Sequence, residues 1–137
     1  MTSSHSTQPH LFLKPDRARS VLRFHPWIFS GAVARMEGTA EPGDIIDVLA
    51  ADNKFLGRGF YNPNSQIVCR ILTWQDESVD QAFFENRIRA AYLLRQRLVA
   101  QVTDAFRVVN AEGDGLPGLV VDKYGDFLVV QISTLGM

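Results

Sequence analysis

The chain has 137 residues, enough for one ordinary domain or for a small domain with part of another. Its hydrophobic content of 46% and charged content of 21% are typical of globular proteins and exclude global disorder. A net charge of −1 excludes a uniformly basic nucleic-acid binder, and the single cysteine, Cys69, excludes an internal disulfide. The sequence has no apolar run of membrane-spanning length and no signal-peptide segment, so we expect a cytoplasmic protein.

The N-terminal part of the chain combines a polar start with a basic segment. Residues 1–10 are interpreted as a disordered leader, and residues 11–13 as a candidate first strand. Asp16 is expected to cap a short helix that buries Val21 and Leu22. The basic residues in and before this helix are Lys14, Arg17, Arg19 and Arg23. Such a cluster can bind phosphates, but it is also common on solvated helices.

Residues 23–33 contain a proline, two nearby aromatic residues and a Ser-Gly pair. Pro26 disfavours helical backbone at His25, which predicts that the helix stops there and that a strand starts at Trp27. A helix end followed by core aromatics is the conventional interpretation, and we favour it for Phe29. The alternative is a turn that presents Arg23, His25 and Trp27 to a polyanionic partner with bases that can stack.

Strand-like segments follow. Residues 45–49, 55–61 and 67–74 are mostly apolar and are separated by turns rich in Asp, Asn and Pro. Several short strands with regular turns predict a small β barrel. Gly57 and Gly59 indicate a bend or bulge, and an outward-pointing Arg58 between them is one option.

After Trp74 the pattern becomes helical. Ser78 and Gln81 have the spacing of a capping box, and apolar residues then recur at helical spacing, which predicts one long helix over about residues 79–102. We therefore place a domain boundary near 75–78 and expect domains at 11–76 and 77–137. The arginines of the helix are interpreted as a solvated face; they are Arg87, Arg89, Arg95 and Arg97.

The C-terminal segment predicts a strand, a glycine-rich loop over 112–118 and a hairpin over 119–132. The loop lacks the Lys-Ser/Thr of a Walker motif and the spacing of an EF-hand, so Asp114 is interpreted as structural. Cys69 lies in an apolar strand without a nearby His or Cys, which favours a buried thiol over a metal ligand or nucleophile. No catalytic, cofactor-binding or metal-binding residue is assigned to this chain.

Two motifs in this order resemble a bacterial enzyme family. They are His25-Pro26-Trp27-Ile28-Phe29-Ser30-Gly31-Ala32, and Glu112-Gly113-Asp114-Gly115-Leu116-Pro117-Gly118 followed by Val121-Asp122-Lys123-Tyr124-Gly125. The family comprises the S-adenosylmethionine-dependent methyltransferases that modify a cytosine at C5 in 23S ribosomal RNA. The resemblance implies an α+β chain, with a PUA-like β pseudo-barrel followed by the start of a linking α/β region that has one long helix and a short hairpin.

The same resemblance implies what this chain contributes and what it lacks. The methyltransferase domain, with its S-adenosylmethionine site and catalytic cysteine, would lie beyond Met137, and Cys69 does not match that cysteine. Cations of the PUA-like domain would position RNA phosphates, and exposed aromatic rings would stack on unpaired bases. The implied partner is 23S ribosomal RNA, and a homodimer is one option for the assembly. The expected RNA-binding residues are Lys14, Arg17, Arg19, Arg23, His25 and Trp27.

We therefore interpret the chain as the N-terminal RNA-recognition part of such a methyltransferase. One alternative is a stand-alone PUA-like module that binds RNA or protein without enzyme activity, which a stop codon after Met137 would favour. Another alternative joins the PUA-like domain to a different RNA-modifying activity, which the loop at 112–118 disfavours.

Overall fold

The computed structural model describes residues 8–137, and these fall into two compact units divided between Asp76 and Glu77. Most of the predicted leader lies outside the described residues, while its last residue, His10, begins the first strand. No helix among the described residues is both long enough and apolar enough to cross a membrane.

The first unit is built on one curled, six-stranded sheet. Its strands are β1 (His10–Leu13), β2 (Trp27–Phe29), β3 (Val33–Glu37), β4 (Ile45–Leu49), β5 (Phe55–Tyr61) and β6 (Ile67–Thr73). The spatial order is β2-β6-β5-β4-β1-β3; β1 and β4 are parallel, and every other pair is antiparallel. The mixed α/β content and the curled sheet agree with the predicted fold class in outline.

Aliphatic side chains from this sheet and from the first helix form the core of the unit. Gly59 is needed at the β5–β6 pairing, because a Cβ there would overlap the backbone carbonyl of Arg70. The buried core residues are Leu11, Leu13, Val21, Ile28, Ile46, Val48, Leu56, Val68, Cys69 and Ile71.

Arg58, for which the sequence left an outward orientation open, is paired within the unit. Its guanidinium donates to Asp47 at 2.5 and 3.1 Å and to Asp76 at 2.9 Å. The β4–β5 register places Asp47 directly opposite Arg58. The hydrogen bond with Asp47 raises the pKa of Arg58 and outweighs the opposing effect of burial. The ion pair therefore neutralises two charges that the sheet partly buries.

The first helix, α1, spans Arg19–Leu22 and is shorter than predicted. Its N-cap is Ala18 and has no side-chain cap, so the expected capping role of Asp16 is wrong. Val21 is buried as predicted, whereas Leu22 is 56% exposed. Consecutive residues on a helix point in different directions, so one turn cannot bury both side chains.

The second unit packs helix α2 (Gln81–Leu98) on a three-stranded antiparallel sheet. The strands are β7 (Ala105–Asn110), β8 (Leu119–Tyr124) and β9 (Phe127–Ile132), and β8 with β9 forms the predicted hairpin. The N-cap of α2 is Asp80, whose carboxylate accepts a hydrogen bond from the Phe83 N–H at 2.9 Å. The predicted N-cap at Ser78 is therefore wrong, although α2 lies within the predicted range.

Two arginines of α2 hold the glycine-rich loop. Arg95 makes two hydrogen bonds to the Asp114 carboxylate, at 2.6 and 2.8 Å, and Arg87 donates to the Gly115 carbonyl at 2.6 Å. The interpretation of these two arginines as solvated is wrong, whereas the other two are exposed: Arg89 and Arg97. The contacts agree with a structural role for Asp114.

Candidate nucleic-acid interface

The exposed apolar side chains of the first unit are concentrated on one segment. Within the described residues of this unit, the exposed large hydrophobics are Leu22, Phe24, Trp27 and Phe29. Exposed aromatic rings beside basic residues are typical of surfaces that bind single-stranded nucleic acid. Residues 14–32, from the basic segment through β2 to the turn that follows it, are called the α1–β2 surface below.

The C-terminus of α1 adopts a Schellman motif. The His25 N–H donates to the Ser20 carbonyl at 3.0 Å, and the Phe24 N–H donates to the Val21 carbonyl at 2.9 Å, with Arg23 as the C-cap. This motif needs a left-handed residue after the C-cap, and Phe24 supplies it with a φ of 62°. Glycine is the usual residue there, so the phenylalanine is strained. The motif fixes the direction in which Phe24 and His25 leave the helix.

Trp74 supports this turn from the end of β6. Its indole N–H donates to the Val21 carbonyl at 2.9 Å. Its ring meets Phe24 edge to face, with the ring centroids 5.5 Å apart. Phe24 nevertheless remains 70% exposed, so the turn holds an aromatic ring at the surface in a fixed position.

Strand β2 places two further rings on one side. Trp27 and Phe29 flank the buried Ile28, as the alternation of a strand requires. Trp27 is 37% exposed and Phe29 is 48% exposed. The prediction that Phe29 belongs to the core is therefore wrong. The Trp-Ile-Phe alternation is the sequence signal that distinguishes the two sides.

The ring of Trp27 lies among polar groups. His25 meets it edge to face at 6.0 Å between centroids, and the His25 Nδ1 accepts a hydrogen bond from the Trp27 N–H at 3.3 Å. The guanidinium of Arg70, opposite Trp27 on β6, lies 5.4 Å from the ring centroid. A guanidinium near an aromatic face can interact with the ring and with an incoming anion.

The four predicted cations of the basic segment are exposed: Lys14, Arg17, Arg19 and Arg23. Lys14 donates from Nζ to the Gly31 carbonyl at 2.9 Å. Among the described residues, the one carboxylate in contact with Arg17 is that of the exposed Asp16, at 3.8 Å. Within residues 8–137, Arg19 and Arg23 form no ion pair with a carboxylate. These charges are therefore available to an external anion, in contrast to the paired Arg58.

A cavity of about 210 Å³ opens between α1 and β2. Its lining combines the buried Leu13 and Val21 with the exposed Arg17, Trp27 and Phe29. An apolar floor with a charged and aromatic edge is suited to a flat, partly polar ligand.

The structure separates the predicted RNA-binding residues into two groups. Arg17 and Trp27 line the cavity, and Lys14 reaches its edge at Gly31. The others lie outside the cavity lining: Arg19, Arg23 and His25. Phe29 and Ser20 also line the cavity, although neither was among the predicted RNA-binding residues.

Three features of the described residues bear on metal, cofactor and thiol chemistry. No cluster of three or more His, Cys, Asp and Glu side chains in residues 8–137 can hold a metal ion. Neither connection into α1 or α2 contains glycine, so neither forms a phosphate-binding loop for a nucleotide cofactor. Cys69 is fully buried, and burial raises the pKa of its thiol, which keeps it protonated and unreactive.

Comparison with known protein families gives a match for most of the first unit. Residues 11–74 match the family model described as a PUA-like domain. This range contains α1, the whole α1–β2 surface and nearly all of the six-stranded sheet.

Proteins named ribosomal RNA large subunit methyltransferase I are similar to nearly the whole chain. The protein from Erwinia tasmaniensis is 48% identical over 128 residues, which cover 92% of this chain and 32% of that protein. A Klebsiella pneumoniae protein is 45% identical over 130 residues, which cover 93% of this chain and 32% of that protein. The chain thus spans about a third of the length of these curated relatives. Their names agree with the predicted resemblance to an rRNA methyltransferase family.

Two solved structures share the fold. A candidate SAM-dependent methyltransferase from Streptococcus mutans aligns with a TM-score of 0.74 and 18% identity, over 88% of this chain and 32% of that one. A candidate methyltransferase in complex with SAH aligns with a TM-score of 0.76 and 17% identity, over 92% of this chain and 33% of that one. At these identities the likeness concerns the fold.

Proposed function

We propose that this chain is the RNA-docking part of a SAM-dependent methyltransferase that modifies a cytosine at C5 in 23S ribosomal RNA. The enzyme class is supported by the 48% identity to a ribosomal RNA large subunit methyltransferase I over 92% of the chain. The choice of cytosine C5 and of 23S RNA is supported by the two sequence motifs. The chain would act in the cytoplasm, either as a monomer or as a homodimer.

The observation that carries the docking role is the composition of the α1–β2 surface. It combines exposed cations that lack strong carboxylate partners with the exposed aromatic rings of the first unit. Cations supply the salt-dependent attraction to phosphates, and rings supply stacking that tolerates any base. The two contributions together suit RNA with unpaired bases better than a uniform duplex.

The backbone of this surface is preorganised for binding. The Schellman motif, the Trp74 hydrogen bond to Val21 and the β2–β6 pairing hold the rings before any ligand arrives. Preorganised groups lose less conformational entropy on association, so more of their interaction energy appears as affinity.

Methyl transfer is assigned to the part of the enzyme that has no counterpart in this chain. Residues 8–137 provide no glycine-rich strand-to-helix loop of the kind that holds a nucleotide cofactor. We therefore place no step of the reaction on this chain. Its contribution is to bind the RNA and to orient it.

The docking role is tested by measuring RNA affinity over a salt series. The wild-type chain should bind a single-stranded segment of 23S RNA with an affinity that falls as salt rises. Arg19→Ala/Arg23→Ala should bind more weakly, and its slope of log affinity against log salt should be shallower by roughly 1.4, since each lost phosphate contact to a single strand removes roughly 0.7. An unchanged slope would show that these arginines do not contact phosphates.

A further inference from the structure

We propose that the cavity between α1 and β2 is a nucleobase site, which takes one unpaired base of the docked RNA. This inference rests on the proposed docking function and adds the place where a base is held. The base would stack on the rings of Trp27 and Phe29, with Arg17 at its polar edge.

Two exposed aromatic residues border the cavity. Trp27 and Phe29 lie on the same side of β2, and both line the cavity together with the buried Ile28 between them. A soluble domain normally buries most of such large apolar side chains, yet Phe29 leaves 48% of its surface to solvent. Stacking with a base would cover this area without requiring a particular sequence.

The lining of the cavity has an apolar part and a polar part. Leu13 and Val21 are almost fully buried and form an apolar inner wall. The exposed Arg17 and Ser20 bring a guanidinium and a hydroxyl to the same cavity. A base has apolar faces, which can pack on the apolar part of the lining, and hydrogen-bonding edges, which can bind the polar part.

Two cations, Lys14 and Arg17, lie at the cavity. Lys14 is anchored on the carbonyl of Gly31, which lines the cavity, so an ammonium is held at its edge. In the part of the chain that the structure describes, Arg17 has a single carboxylate contact, with the exposed Asp16 at 3.8 Å. A base that enters the cavity carries its own phosphate, and these two cations are placed to meet it.

Gly31 offers a way to block the cavity without disturbing the fold. A Cβ at this position would meet no atom within 4 Å, so a larger side chain has room. Because Gly31 lines the cavity, Gly31→Leu should reduce the space for a base. Phe29→Leu removes one stacking ring and keeps an apolar side chain at an exposed position.

The test compares single-stranded RNA of mixed sequence with duplex RNA of the same length, using the 137-residue chain. The wild type should prefer the single strand. Phe29→Leu and Gly31→Leu should each weaken single-strand binding by about tenfold and leave duplex binding unchanged, since stacking of one base is lost. Phe127→Leu, the same substitution at an exposed site in the second unit, should change neither affinity.

The outcomes separate this inference from the docking proposal. If the chain binds RNA but neither variant changes single-strand affinity, the base site is wrong and docking by phosphate contacts stands. If the wild type does not bind RNA at low salt, both proposals fail. Circular dichroism spectra of the variants establish that they fold. If Phe29→Leu does not fold, the RNA affinities of Gly31→Leu alone test the base site.

Discussion

At the scale of single residues, Phe24 is the position where local strain and surface chemistry meet. The Schellman motif requires a left-handed backbone there, and a side chain in that conformation costs roughly 1–2 kcal/mol relative to glycine. The edge-to-face contact with Trp74 offsets part of this cost. A strained residue that keeps its ring exposed is consistent with selection for binding rather than for stability.

Two substitutions separate the backbone strain from the ring contact. Phe24→Ala removes the ring and keeps the strain, so it should lower the free energy of unfolding by about 1 kcal/mol. Phe24→Gly removes both, and its stability should exceed that of Phe24→Ala by about 1 kcal/mol. Urea denaturation followed by tryptophan fluorescence measures this in the first unit, which contains both tryptophans. Equal free energies of unfolding for Phe24→Ala and Phe24→Gly would show that the backbone at position 24 is not strained.

At the scale of elements, the helix caps show what a sequence motif can and cannot decide. Ser78 and Asp80 are both good N-cap residues, and the capping-box spacing favoured Ser78. The structure instead gives Asp80 the extended backbone of an N-cap and the hydrogen bond to Phe83. The spacing of Ser78 and Gln81 alone does not contain the backbone conformation that decides which of the two residues is the N-cap.

This correction predicts different costs for two similar substitutions. Asp80→Ala should lower the stability of the second unit by about 1 kcal/mol, because an N–H of the first turn loses its acceptor. Ser78→Ala should change it by less than about 0.5 kcal/mol, as for an ordinary surface site. Thermal unfolding monitored by circular dichroism measures both. A greater loss of stability for Ser78→Ala than for Asp80→Ala would contradict this assignment and support Ser78 as the N-cap.

The positions of several strands could be predicted from local sequence patterns, whereas the pairing of distant strands could not. β4 and β5 have the predicted bounds because each is an apolar run between turn residues. The parallel pairing of β1 with β4, and the antiparallel pairing of β1 with β3, join distant segments and leave no local signal. The pairing of Arg58 with Asp47 was missed for the same reason, since it depends on the β4–β5 register.

The candidate site was predicted in part. The basic segment and Trp27 were selected from composition and from the resemblance, and the structure places all of these residues at the surface. Phe29 was missed because its apolar character favoured the core, although strand alternation places it beside Trp27. The cavity could not be anticipated, because it depends on how α1 and β2 pack.

At the scale of the whole molecule, the second unit presents an apolar strand. Every residue of β9 is exposed, including Phe127, Leu128, Val129, Val130 and Ile132. β9 is also an edge of its sheet, where unpaired backbone groups can accept a further strand. An exposed apolar edge of this kind is typical of a surface that another segment covers.

This surface predicts self-association of the 137-residue chain. Sedimentation velocity should show association that increases with protein concentration, driven by the β9 edge. Val129→Lys should reduce it, because a charged side chain on an edge strand opposes pairing. Val102→Lys is the matched control, because Val102 is an exposed valine outside the strands. This substitution should leave the self-association unchanged. A chain that remains monomeric at all concentrations would contradict this expectation.

The central claim, that the α1–β2 surface docks RNA, is tested most directly by a comparison of two charge-matched double variants. Arg19→Ala/Arg23→Ala removes two cations of this surface, and Arg89→Ala/Arg97→Ala removes two exposed cations of α2. We predict that only the first variant makes the salt dependence of RNA affinity shallower. Equal losses in both variants, or a larger loss in the second, would contradict the claim.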